Sequence, residues 1–208
     1  MIDLAILPIF IAGAVALAIA PGPDMAFTMA TTASSGRQAG LAALLGINIG
    51  AASWLLATVL GLSAMLAATE HALTVVRWVG GAYLVFLAVQ TLRHWNEAPT
   101  ARAAGSVRRA MIRGATTNLL NPKIGLFFMA FLPQFTNAEL GPVWVQLMTL
   151  AAIFMAIGNT VLISVIFVAG AARAKLAQSL TLRRVLNGVA ATAFGALGLR
   201  LILSRDTA

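Results

Sequence analysis

Two short segments set a charge beside helix-breaking prolines within long apolar runs: Pro21-Gly22-Pro23-Asp24 and Asn121-Pro122-Lys123. Proline removes a backbone donor and clashes with the preceding turn, and glycine adds freedom, so a helix entering either segment must break or bend. Asp24 follows the first break directly, where the next helix would start, and a carboxylate there is favoured as a cap and by the helix dipole. Lys123 stands about ten residues beyond Arg113 in a run otherwise without charge, roughly 15 Å along a helix axis. A lysine at that depth in a bilayer costs roughly 2.5–3.5 kcal/mol on insertion scales, so it normally faces a cavity or a partner. The plainer readings are an Asp24 that caps an interfacial helix and a Lys123 that snorkels to the headgroups or pairs statically with Asp24.

One acid and one base, each beside a break, complement the ammonium and carboxylate of an amino acid. Helix N-termini and freed carbonyls would add dipoles suited to the same groups. Burying either charge alone is expensive. The two would therefore pair in the empty protein and part on loading, a basis for alternating access, and Asp24 could also take up a proton. Asn48, Asn118, Asn159 and Gln134 are uncharged polar groups at membrane depth, each as much a candidate for interhelical glue as for a substrate contact. Met25, Met29, Met129 and Met155 are read as packing. Trp78, Trp95 and Trp144 are read as interfacial anchors.

The elements that must position these residues are membrane helices. Apolar residues make up 60% of the 208 positions and charged residues 10%, where a soluble domain carries roughly 25% charged residues. The apolar runs are continuous rather than alternating, which excludes barrel strands and leaves helices as the structure that satisfies its backbone in lipid. The expected fold is all-α and integral to the membrane, with six spans over 4–34, 39–69, 71–92, 114–136, 142–172 and 185–204. Span one would be on the order of 46 Å long if unbroken, which overshoots the hydrocarbon core and calls for its break. No removable signal peptide is expected, since Met1-Ile2-Asp3 lacks a positive n-region. The chain has no cysteine, which excludes disulfides, thiol chemistry and thiolate metal sites.

The formal charge of +8 reads as topology rather than as a nucleic-acid surface. Arg37 marks the first connection; Arg93, Arg102, Arg108, Arg109 and Arg113 fill the third; Arg173, Lys175, Arg183 and Arg184 fill the fifth. The even connections hold Glu70, His71 and Glu139, with Arg77 slightly beyond. This asymmetry puts the odd connections in the cytoplasm and both termini outside, although Arg200 and Arg205 near the C-terminus run against it. The chain is read as one transporter domain over 1–208, with halves 1–92 and 114–208 joined by the basic connection 93–113. Three spans per half makes related halves an inverted repeat; the PGPD and NPK breaks, then Asn48 and Asn159, occur in the same order in each.

The stretches APGPDMAFTMATTASSGRQAGLAALLGINIGAA and NLLNPKIGLFFMAFLPQF together resemble the LysE/RhtB family of bacterial amino-acid exporters, and the resemblance covers essentially the whole chain. It implies efflux of amino acids or close derivatives across the inner membrane, driven by the proton-motive force, with no catalysis, prosthetic group or metal. Its motif positions fall on Pro21, Gly22, Pro23 and Asp24, on Gly36, Arg37 and Gly40, and on Asn121, Pro122, Lys123 and Gln134. The expected partners are the amino-acid substrate, protons and the lipid bilayer, with a homodimer left open. The rivals are a carrier of another small solute or cation, a membrane enzyme and a non-transporting scaffold. A membrane enzyme would need a reactive cluster, and His71 and His94 both sit at span ends.

Overall fold

A computed structural model of the chain describes residues 2–68, 72–93, 106–168 and 180–203. Among these residues every regular element is helical: α1 (Leu7–Ile19), α2 (Pro23–Ala68), α3 (Ala72–Arg93), α4 (Val107–Leu119), α5 (Pro122–Leu126), α6 (Val143–Val168) and α7 (Leu180–Leu203). A π turn over Phe127–Phe131 and a 3-10 turn over Leu132–Phe135 continue α5. Pro133, which can donate no backbone N–H, follows the π turn. Glu70, His71, His94, Trp95, Arg102, Arg173, Lys175 and Arg205 lie outside the described residues.

The burial pattern is that of a chain solvated by lipid. Large apolar side chains such as Leu45, Ile49, Leu56, Leu60, Phe86, Met148 and Phe167 face outward, while Thr28, Thr31, Asn118, Asn121 and Gln146 are buried. Among the described residues, two helices are long and apolar enough to cross a membrane, Pro23–Leu62 and Val143–Phe167, and shorter apolar helices cover Leu7–Ile19, Gly81–Arg93 and Asn187–Leu199.

The longest helix is not one rod. Gly36 takes φ 81° and ψ 175°, backbone that a side chain resists and glycine accepts. Gly40 packs directly against Thr32, although eight residues of uninterrupted helix would hold them about 12 Å apart. The chain therefore reverses at Gly36, where the sequence placed the first connection, and α2 has two arms, 23–35 and 37–68. Arg37 then lies over the Phe167 ring at 5.3 Å and Arg113 over Phe27 at 5.6 Å.

Helical structure begins before residue 114, where the sequence placed the start of its fourth span. Ser106 accepts the Arg109 N–H as an N-cap, and α4 starts at Val107. The arginines misled the reading. Arg108, Arg109 and Arg113 are exposed on one side of α4, while Ala110, Gly114 and Asn118, at helical spacing of four, are buried against the second arm of α2. The stretch read as the sixth span, 185–204, overlaps α7, described over Leu180–Leu203. The fifth, read to 172, is described to Val168.

Small residues set how closely α2 and α4 approach. A β-carbon on Gly46 would strike the Met111 carbonyl oxygen, one on Gly114 the Ala43 carbonyl oxygen, and one on Gly50 would lie 2.8 Å from the Asn118 side chain. Backbone cannot yield as a flexible side chain can. Gly46→Ala is expected to destabilise the protein by about 1–3 kcal/mol through overpacking. Gly61→Ala, where an added β-carbon meets nothing within 4 Å, is expected to be neutral or to stabilise by up to about 1 kcal/mol. Thermal unfolding of both variants in detergent checks the contrast.

Candidate functional site

At the first break, the carbonyl of Leu17 would accept from the N–H four residues on, but that residue is Pro21, which has none. The helix ends with Ala20 in extended conformation, ψ 122°. The Lys123 ammonium fills the gap, donating to the Leu17 carbonyl at 2.9 Å and to the Ala20 carbonyl at 3.0 Å. A cation there both satisfies orphan carbonyls and complements the negative end of the helix dipole.

The second break repeats the arithmetic. The carbonyl of Asn118 would accept from residue 122, again a proline. Its donors are instead the Asn121 N–H at 3.0 Å and the Trp54 indole N–H at 3.3 Å. Asn121 then caps α5, its side-chain oxygen accepting the Lys123 N–H at 3.1 Å, and the Tyr83 hydroxyl donates to the Pro122 carbonyl at 3.0 Å. Gly125 brings α5 against Trp54; a β-carbon there would sit 2.5 Å from the indole ring.

The breaks are also joined through side chains. The Asn118 amide donates to one Asp24 carboxylate oxygen at 2.8 Å. The other Asp24 oxygen and the Asn118 side-chain oxygen are buried without a hydrogen-bond partner. Both are acceptors, so what they want is a donor. The expected direct pairing of Asp24 with Lys123 is replaced by this arrangement: the ammonium goes to carbonyls and the carboxylate to an amide, because the freed carbonyls compete with Asp24 for the Lys123 ammonium.

These groups face a cavity of about 70 Å³, room for more than one water. Gly22, Asp24, Asn48, Asn118, Asn121, Lys123 and Asn159 line it on the polar side, and the Asn48 amide donates to the Asn159 side-chain oxygen at 2.9 Å. Phe154, Met155, Ile47, Leu162 and Ile124 form much of the apolar wall. Pro21, Pro23 and Pro122 shape the breaks without lining the cavity. Gln134 is elsewhere, its amide returned to the Ala130 carbonyl at 3.1 Å.

Sequence reasoning gave Asn118 no more weight than the other asparagines and passed over Trp54 and Tyr83. A signal for Asn118 existed: it lies four residues before Pro122, as Leu17 lies four before Pro21, so each marks the carbonyl that its proline frees. Among the described residues no three His, Cys, Asp or Glu side chains come together to hold a metal.

Comparison with known proteins gives a consistent picture. The family model described as LysE type translocator matches residues 15–205. An uncharacterized membrane protein of Bacillus subtilis (strain 168), YrhP, is 30% identical over 148 residues, 66% of this chain and 70% of that protein. The uncharacterized membrane protein YahN of Escherichia coli (strain K12) is 30% identical over 187 residues, 88% of this chain and 82% of that one. A leucine efflux protein of Klebsiella pneumoniae subsp. pneumoniae is 30% identical over 136 residues, covering 62% of this chain and 63% of that protein. No solved structure matches the chain.

The substitution of a lysine for a missing amide can be tested by a double-mutant cycle. Lys123→Met is expected to cost about 1–3 kcal/mol for each carbonyl left without a donor. Pro21→Ala restores an N–H four residues beyond Leu17, so Lys123→Met should cost measurably less in that background. Thermal or denaturant unfolding of the four proteins reads the coupling; additive losses would mean that Lys123 does not stand in for the missing donor.

Proposed function

We propose a function from one premise: the chain belongs to the LysE type translocator family, a family of membrane transporters and not of enzymes. The protein is a secondary transporter that exports amino acids across the bacterial inner membrane, coupled to the proton-motive force. The observation that carries the reading is a cavity at two facing helix breaks that holds one carboxylate with a free oxygen and one ammonium. The substrate ammonium donates to Asp24 and Asn118, and its carboxylate meets Lys123, which has used two of its three N–H groups on carbonyls.

Among the described residues, Asp24 and Lys123 are the only acidic and basic ones lining the cavity. Both are engaged by the backbone groups of the substrate, so no opposite charge remains for a charged side chain. The side chain instead meets Phe154, Met155, Ile47 and Leu162, which favours an apolar amino acid. The relative named as a leucine efflux protein agrees with that class. Asp24, the one carboxylate at the cavity, is the residue to carry a coupled proton.

The same reading makes the architecture six crossings in two inverted halves. α1 with the first arm of α2 forms span one, the second arm span two and α3 span three; α4 with the α5 segment forms span four, and α6 and α7 complete the second half. α1 and α4 each run 13 residues before their break, and Asn48 meets its counterpart Asn159. Arg37, beside the reversal at Gly36, lies against Phe167 near the described end of α6, so the reversal and that end of α6 lie on one side. The charge rule makes that side cytoplasmic and puts the termini outside.

Cells fed dipeptides and expressing the protein should hold less of one apolar amino acid inside and release more of it than cells without it. Asp24→Asn keeps an acceptor for Asn118 and removes the charge. It is expected to reduce that export at least tenfold, the effect of losing a charge-assisted hydrogen bond of about 1.5–3 kcal/mol. Unchanged levels of every amino acid, with the protein present in the membrane, would refute the substrate class.

A further inference from the structure

Beyond Asp24, which lines the cavity, the first arm of α2 carries polar groups that the cavity does not account for. Asp24, Thr28, Thr31 and Ser35 are spaced by four, three and four residues, which puts them on one face of the helix. Thr28 and Thr31 are completely buried, and both hydroxyls, like one Asp24 oxygen at the top of the row, have no hydrogen-bond partner.

Four other helical threonines satisfy their hydroxyls on their own helix. Thr32, Thr58, Thr149 and Thr160 each return the hydroxyl to the carbonyl four residues back, at 2.7 to 2.9 Å. Such a bond is open to any helical threonine. Thr28 and Thr31 forgo it and stand unpaired at about 1–3 kcal/mol each. Three orphaned oxygens in consecutive turns on one face would all be satisfied by a single file of water or by polar groups moving past them. The row starts at the cavity and ends beside Gly36, at the reversal of α2.

We propose that the Asp24–Thr28–Thr31–Ser35 face is the wall of a hydrated passage linking the cavity to the Gly36 end of the bundle, closed in this structure. It rests on the transport reading only for what travels through it, a small zwitterion with its water; the passage itself stands on the orphaned oxygens. Relative motion of the first arm of α2 and its neighbours opens it, and Gly36, free of side-chain constraint, is a hinge suited to that motion.

The chain has no cysteine, so single cysteines can be read without background. In membrane vesicles, Thr28→Cys and Thr31→Cys are expected to react with a membrane-impermeant cationic methanethiosulfonate added from the side that labels the exposed Ser34→Cys. Ala39→Cys and Ala43→Cys, equally buried but in an apolar cluster, serve as core controls. The threonine positions should react at least tenfold faster, corresponding to about 1.4 kcal/mol in access. Rates no faster than the core controls, in protein that folds and labels at Ser34→Cys, would overturn the passage. Labelling that exceeds the controls, with no amino acid slowing it or being transported, would uphold the passage and overturn the proposed substrate.

Discussion

The arrangement depends on one exchange: a lysine ammonium takes the place of a backbone N–H that proline removed. Each break within the apolar interior frees a carbonyl, and a buried acceptor without a donor is expensive in that setting. Leu17 is answered by Lys123, which belongs to the other break, and Asn118 by Trp54 and by the turn at Asn121. Neither break is self-sufficient. The first is completed by the second, and the second by the packing of α2 and α3, so the breaks persist only when these elements are assembled.

That mutual completion explains the close contacts around it. For the Asn118 amide to reach Asp24, α4 must lie almost backbone to backbone against the second arm of α2, and glycines at 46, 50 and 114 permit the approach. For Lys123 to reach α1, the α5 segment must turn inward; Gly125 seats it on Trp54, and the rings of Phe127, Phe131 and Phe135 pack it against Phe10. Small residues on one side and a phenylalanine cluster on the other fix the charges where lipid alone would expel them.

Much of this is legible in the sequence because a charge or a proline in an apolar run is anomalous wherever it stands. Pro21, Asp24, Pro122 and Lys123 stand out on local grounds, and Asn48 and Asn159 by their matching order; all but the two prolines line one cavity. What the sequence hides is partner choice. Opposite charges invite the inference of an ion pair, whereas the carbonyls freed by proline appear only when one counts four residues back from it. The start of α4 is hidden for a related reason. Arginines read as a loop by composition, yet they sit comfortably on the exposed side of a capped helix. The cavity's apolar wall has no local signature at all, since Phe154 and Leu162 look like any other residue in a hydrophobic span.

The same exchange bears on how binding could move the protein. Lys123 holds the end of α1 with two of its N–H groups, and an ammonium has only three. On the proposed amino-acid reading, a substrate carboxylate that engaged the third and drew the ammonium toward itself would weaken the hold on Leu17 and Ala20. The end of α1 would then lose part of its cap at the moment the cavity gains a ligand. A ligand shifts a conformational equilibrium only by its differential interaction with the two states, and competition between carboxylate and carbonyls for one cation supplies such a difference. A fixed Asp24–Lys123 ion pair would bind the two breaks to each other. Carbonyls held by a lysine are held exchangeably, and that leaves the broken helices able to respond.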